Sequence, residues 1–220
     1  MNILKTQWLR ILVHLGGLYP LTVLMIDWLG MPQHLGADPI RESILRTGRS
    51  TLVLLVLSLA CTPVNTLLGL REALKARRTL GLYAFAYAAL HLTIFVGVDY
   101  QFDFSLLYEA IFEKPYALAG LTAFLILVPL AITSTKGWMK RLGKTWRRIH
   151  FGIYFAVPIG VIHFVWSVKL DIREPLIYGA IVAALLFLRL TPIRRAISHL
   201  RHRSEEIMST RPSKRLTEIR

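Results

Sequence analysis

The stretch HFGIYFAVPIGVIHFVW, residues 150–166, opens on one histidine and carries another near its end. An imidazole in so apolar a run needs a partner, because an ionisable group buried in a membrane costs free energy when it stands alone. Seven histidines occur in the chain, and His91, in YAFAYAALHLTIF, keeps similar company. His34 falls in a polar connection, and His199 and His202 fall in a basic tail, where solvated surface roles account for them. That leaves His14, His91, His150 and His163 as side chains placed to ligate a metal, relay protons or bridge helices.

The elements that must hold them are legible as apolar blocks. The sequence is 54% hydrophobic with a mean hydropathy of +0.49. Six blocks, at 11–29, 50–70, 80–98, 116–134, 149–168 and 175–191, approach the roughly 20 helical residues that cross a bilayer. Irregular backbone cannot face lipid, so the blocks read as helices of an all-α six-span bundle. The first block follows Lys5 and Arg10 like a signal peptide. Its apolar run is too long for a signal core, and no small-x-small cleavage site follows, so it reads as a retained anchor. The net charge of +14 would suit nucleic acid in a soluble protein, but in these connections it serves topology and implies no nucleic acid partner. Residues before the first block, 71–79, 135–148 and 192–220 carry 20 Lys and Arg, and the alternate connections 30–49, 99–115 and 169–174 carry six. The bias puts both termini in the cytoplasm. It divides the chain into a transmembrane domain over 1–191 and a basic cytoplasmic tail over 192–220, which could touch anionic lipid headgroups.

Depth then sorts the histidines. His91 stands seven residues before the end of the third block and His163 five before the end of the fifth. Both blocks run outward, so the two rings lie about 10 and 8 Å below the outer boundary at about 1.5 Å per residue. No carboxylate or cysteine shares that depth in either block, which disfavours a four-ligand zinc site. A non-covalent haem needs only one or two axial nitrogens. Small Ala84, Ala88, Ala89 and Gly160 would let a flat macrocycle approach. The alternative is that each imidazole makes an interhelical hydrogen bond. No C-x-x-C-H occurs, and Cys61 is the one cysteine, so c-type attachment and an intrachain disulfide are excluded.

His150 is thirteen residues from His163, about 20 Å of rise and roughly 140° of helix rotation. Pro158 between them removes a hydrogen bond to Tyr154 and loosens that angle. A second haem would need a second ligand, and the residues at the matching depth of the third block are Arg77 and Arg78. His14 is the only other candidate, so the residues support one bis-histidine haem well and a second poorly. LREALKARRTLGLY (70–83) and KGWMKRLGKTWRRIH (136–150) are basic, aromatic-flanked connections. They satisfy the positive-inside rule, and they would equally receive a phosphate-bearing cofactor or an acidic donor protein. Arg77, Arg78, Trp146 and Arg147 are the candidates there for a flavin or quinone site. Arg46, Arg49 and Lys169, near the outer ends of their blocks, are candidates to pair with haem propionates or to snorkel to headgroups. A haem-free transporter or channel with a histidine proton relay is the competing class. Pro63, Pro129 and Pro158 offer kinks for it, but no internal repeat stands out and Asp27, at a span edge, is nearly alone among acids. No G-x-S-x-G accompanies a histidine, which argues against a hydrolase.

GADPIRESILRTGR, RRTLGLYAFAYAALH, LGKTWRRIHFGIYF and IHFVWSVK followed by PLIY occur in order and resemble the MsrQ family over about residues 12–190. More distantly, the histidine-bearing blocks resemble the transmembrane domain of ferric reductases and NADPH oxidases. The resemblance implies a bacterial inner-membrane subunit with b-type haem, in a family associated with flavin mononucleotide (FMN). It implies electrons drawn from the quinone pool, or from a cytosolic flavin reductase, and passed to the periplasmic molybdopterin subunit MsrP. That partner reduces methionine sulfoxide in oxidised envelope proteins. The family's intramembrane histidines fall on His91, His150 and His163. In the distant relatives a thirteen-residue spacing serves two haems, and the absent partner on the third block departs from that pattern. No dinucleotide fingerprint follows the last block, so the expectation is a non-catalytic relay fed by quinol or a separate donor.

Overall fold

The computed structural model describes residues 3–30, 32–168, 171–190 and 192–193, so the tail expected over 192–220 lies almost wholly outside the described residues. Among those residues every regular element is helical. The elements are α1 (Ile3–Gly30), a 3₁₀ turn (Pro32–Leu35), α2 (Pro39–Leu68), α3 (Arg71–Thr93) running into a π turn (Ile94–Asp99), α4 (Phe104–Phe112), α5 (Pro115–Ile132), α6 (Lys136–Leu142), α7 (Lys144–His150), α8 (Ile153–Ser167) and α9 (Arg173–Phe187).

The boundaries follow local chemistry. Asp38 caps α2 by accepting from the Arg41 backbone N–H at 3.0 Å, with Pro39 in the first turn, where its missing N–H costs nothing. Gly69, at φ +70°, ends α2 in the left-handed conformation that a side chain resists. Asp103 caps α4 by accepting from the backbone N–H groups of Ser105 and Leu106. The Ser105 hydroxyl, followed by those N–H groups, holds the Asp103 carboxyl below the usual carboxylate range. The cap is therefore intact above the ordinary carboxyl pKa and is lost only as pH falls through the depressed one.

Two helical hairpins make the core. α2 packs along α3, and α5 packs along α8. Leu52, Leu55 and Leu59 of α2 meet Leu80, Ala84 and Ala88 of α3, and Leu127, Leu130, Ala156, Val157 and Val161 complete the same cluster. Outward-facing residues stay apolar: Trp8, Tyr19 and Leu125 are each more than half exposed. A helix apolar on its outside is in lipid. Five helices are long and apolar enough to cross a bilayer: Gln7–Gly30, Pro39–Leu68, Arg71–Asp99, Pro115–Ile132 and Lys144–Ser167. The expected sixth span, 175–191, is helical as α9 over 15 residues. That is about 22 Å of rise against roughly 30 Å of hydrocarbon, so α9 alone is short of a full crossing.

α1 is held by an inserted hydroxyl. Leu21 N–H and Gly17 C=O would bond each other in a regular helix, one residue past Pro20. The buried Tyr87 hydroxyl accepts from that Leu21 N–H at 2.9 Å and donates to that Gly17 C=O at 2.8 Å. The close approach needs a glycine, because a Cβ on Gly17 would lie 2.6 Å from Tyr83 Cδ2. Tyr87→Phe removes both of these hydrogen bonds from an apolar setting. Detergent-solubilised protein carrying it is expected to lose roughly 1–3 kcal/mol of unfolding free energy, read by tryptophan fluorescence against denaturant.

Candidate functional site

His91 and His163 meet at one end of the bundle. α3 and α8 carry them near their carboxyl ends, so the matched depth expected from the sequence becomes a contact: the ring centroids are 6.0 Å apart and the planes cross at 85°. Each ring is held by a backbone carbonyl of the partner helix in its hairpin. His91 Nδ1–H donates to Ile44 C=O on α2 at 2.9 Å, and His163 Nδ1–H donates to Tyr116 C=O on α5 at 2.6 Å. A carbonyl accepts only, so each ring is the Nδ1–H tautomer and its Nε2 lone pair remains. No hydrogen bond takes either Nε2 among the described residues.

Glycine makes the approach. Four residues beyond each accepting carbonyl stand Gly48 and Gly120. A Cβ on Gly48 would lie 3.2 Å from His91 Cε1 and Nδ1, and one on Gly120 would lie 2.7 Å from His163 Nδ1. The imidazoles lie against bare backbone, where they reach carbonyls already bonded within the helix. The two arrangements repeat in register. Each histidine follows its carbonyl by 47 residues. Ile44, Gly48 and His91 each recur 72 residues later as Tyr116, Gly120 and His163. Only three positions per half are constrained, and the intervening side chains differ, which hides the recurrence from sequence patterning.

This geometry fits an axial pair. A ring nitrogen binds a metal at about 2.0–2.1 Å and lies about 1 Å from its ring centre, so two imidazoles on opposite sides of one iron have centroids about 6 Å apart. A ligating histidine commonly donates its other N–H to a carbonyl, as both do here. Ala88 and Ala84, one and two turns below His91, are buried where α3 packs.

His150 is built differently. Its Nε2 lies 3.1 Å from Thr133 Oγ1, and that hydroxyl already donates to Pro129 C=O at 2.6 Å. His150 Nε2–H is therefore the donor and Nδ1 keeps the lone pair, the reverse of His91 and His163. Trp146 stacks on the ring at 4.0 Å and donates its indole N–H to Thr133 C=O. A cavity of about 470 Å³ opens here, lined by Arg77, Arg78, Trp146, Arg147, His150 and Tyr154 among others. None of its arginines has a carboxylate within ion-pair distance among the described residues. Beside the cavity, Arg189, which sequence reasoning missed, is bonded to Tyr154 Oη and Leu59 C=O, and its buried Nε has no hydrogen-bond partner among the described residues. The 72-residue register puts Arg78 opposite His150.

The remaining candidates are dispersed. Arg46 donates to Glu42, Asp27 and the His34 carbonyl, which ties α2 to α1 and engages its guanidinium on three sides. Arg49 is half exposed and donates to Glu174 on α9 at 2.7 Å. Lys169 lies outside the described residues, as do His199 and His202. His14 pairs with Tyr83 at 2.9 Å. Sequence reasoning also missed Gly48 and Gly120, whose signal was a glycine 43 residues before each deep histidine.

Comparison with known proteins adds an independent line. Residues 47–161 match the family described as ferric reductase like transmembrane component, a range that includes Gly48, His91, Gly120 and His150 and stops short of His163. The protein-methionine-sulfoxide reductase heme-binding subunit MsrQ of Caulobacter vibrioides is 43% identical over 174 residues, covering 79% of this chain and 83% of the relative. Its counterpart in Xanthomonas campestris pv. campestris is 46% identical over 178 residues, covering 79% and 82%. That of Xanthomonas euvesicatoria pv. vesicatoria is 44% identical over 181 residues, covering 80% and 83%. No solved structure matches.

The glycine contacts set an order of sensitivity. A methyl on Gly120 collides with His163 harder than one on Gly48 collides with His91. Gly120→Ala should therefore lower the haem bound per protein more than Gly48→Ala, and Gly120→Val should abolish it, as measured by pyridine haemochrome against protein mass.

Proposed function

We propose a function from one premise: this chain belongs to the family of MsrQ haem-binding subunits of protein-methionine-sulfoxide reductase, among the ferric reductase-like membrane proteins. It is a multi-pass membrane subunit that relays electrons. His91 and His163 hold one b-type haem, and the observation that carries this is their paired geometry, with both Nδ1–H groups fixed on carbonyls and both Nε2 atoms left over at a 6.0 Å ring separation. When bound, that haem supplies a one-electron couple.

The protein's own residues do the positioning. Ile44 and Tyr116 carbonyls orient the imidazoles and raise their basicity as ligands. Arg49, half exposed beside Glu174, is a freer propionate candidate than Arg46, which Asp27 and Glu42 engage, and Lys169 stays a candidate by its sequence position. At the opposite end, Arg77, Arg78 and Arg147 supply uncompensated positive charge around the cavity. Such charge suits an anionic group, and the phosphate of FMN is one that a guanidinium recognises. Trp146 stacks on His150, which leaves His150 Nδ1 as a base to accept a proton from a quinol. The electron source is then the quinone pool or a cytosolic flavin reductase, received at the basic end. The recipient is the periplasmic molybdopterin subunit MsrP, served from the His91–His163 end. The excess of 20 over six basic residues in alternate connections supports a six-span arrangement in a bacterial inner membrane with both termini cytoplasmic.

Optical and EPR spectra of the purified protein test this reading. The wild type should carry about one low-spin haem per chain, with a sharp α-band on reduction. His91→Ala and His163→Ala should each eliminate that signal, whereas His150→Ala should keep it and slow reduction by quinol. A colourless wild type that cannot be reconstituted with haem overturns the assignment.

A further inference from the structure

α4 has no part in holding the histidines, yet both of its ends are tied to them. From His91 the chain continues through the π turn Ile94–Asp99 and a sharp turn, with Gln101 at φ +48° and Phe102 at φ +59°, into α4. Beyond α4 it passes Lys114 and Pro115 to Tyr116, whose carbonyl holds His163. The turn is secured by the Phe102 ring over Gly97, where a Cβ would lie 3.1 Å away, and by Lys114 Nζ at 3.3 Å from Tyr100 Oη. Leu107 and Ala110 are buried against the bundle. α4 is thus fixed at the end of the molecule where the histidine pair lies.

Among the described residues nothing covers its other face. Phe104, Tyr108 and Phe112 stand four residues apart on one ridge and are 80%, 65% and 60% exposed. Beside that ridge run exposed Glu109 and Glu113, again four apart, with Asp103 at the helix start. Over 99–114 the acids outnumber the bases four to one, in a chain whose net charge is +14. An aromatic ridge on a connecting helix could be a bilayer-interface anchor. Such helices, however, carry Lys or Arg on their polar face to meet headgroups, and Phe104–Phe112 has neither. Carboxylates beside aromatic rings suit a partner whose face is basic around an apolar centre.

We propose that α4 is the docking surface for a soluble electron-transfer protein with a basic contact face. The Phe104–Tyr108–Phe112 ridge makes the apolar contact, and Glu109 and Glu113 steer and orient the partner. The physiological meaning rests on the relay function proposed above, in which electrons leave from the His91–His163 end. The surface itself does not depend on haem. Long-range attraction of this kind speeds encounter and sets orientation in a transient complex, and salt weakens it.

The test uses the full chain in nanodiscs of zwitterionic lipid, with cytochrome c as the basic redox probe and a flavodoxin as the acidic one. Binding is read by biolayer interferometry on haem-loaded and haem-free protein. Cytochrome c should bind, with affinity falling about tenfold or more between low and physiological-to-high salt, and any flavodoxin held at the basic opposite face should be indifferent to substitutions in α4. Glu109→Lys with Glu113→Lys should weaken low-salt binding about tenfold, and the gentler Glu109→Gln with Glu113→Gln by about threefold. Tyr108→Ser with Phe112→Ser should weaken it at every salt concentration. Glu72→Lys, at the far end of the bundle, should change nothing. Unchanged cytochrome c binding in the charge-reversed protein overturns the proposal. So does quenching of a Tyr108→Trp variant by brominated lipid, which would place the ridge in the bilayer. Binding by haem-free protein separates this from the relay: absence of haem in the wild type sinks the relay alone, and haem without probe binding sinks the docking surface alone.

Discussion

Everything at the candidate site depends on a ring pressed against bare helix backbone. An α-helical carbonyl is already engaged by the N–H four residues on, and a side chain there normally shields it. With Gly48 and Gly120 at those positions, the Ile44 and Tyr116 carbonyls accept a further hydrogen bond, from an imidazole. One contact therefore settles three things: the spacing within each hairpin, the tautomer of each ring, and the availability of each Nε2. The pairing α2 with α3 and α5 with α8 then brings the two rings to 6.0 Å.

The same contact explains why His150 is not a third copy of the motif. Its Nε2–H is taken by Thr133 and its ring is covered by Trp146, so its free nitrogen is Nδ1. Its counterpart in the 72-residue register is Arg78 rather than a histidine. The molecule is consequently polarised: carbonyl-held imidazoles at one end, and guanidinium groups with no carboxylate partner among the described residues around a cavity at the other. Acidic Asp99, Asp103, Glu109 and Glu113 lie at the histidine end, and the basic α6–α7 connection lies at the cavity end. Such an asymmetry lets the two ends attract partners of opposite charge, because long-range charge sets what approaches each end.

Much of this was legible in the chain itself. Apolar blocks gave the helices, because lipid imposes both their length and their lack of a polar face. The depth of His91 and His163 followed from counting residues along helices of known rise. Helix count was less secure: the block at 175–191 is apolar, but α9 as described is only 15 residues long. Arg46 shows why charged candidates resist sequence reasoning. Its partners Asp27 and His34 come from another helix and the turn after it, and nothing local to RTGR announces them.

The sequence by itself determined what must be buried and at what depth, since transfer of apolar surface and the cost of an unpaired imidazole are properties of residue type and position. Only the tertiary structure decided which carbonyl each histidine meets, and hence its tautomer and its free nitrogen. That information lies in contacts 47 residues apart, between positions whose neighbours share no pattern. A glycine reads locally as flexibility or a close approach to something unspecified. Its meaning here, a backbone laid bare for an imidazole, appears only once the second helix is in place.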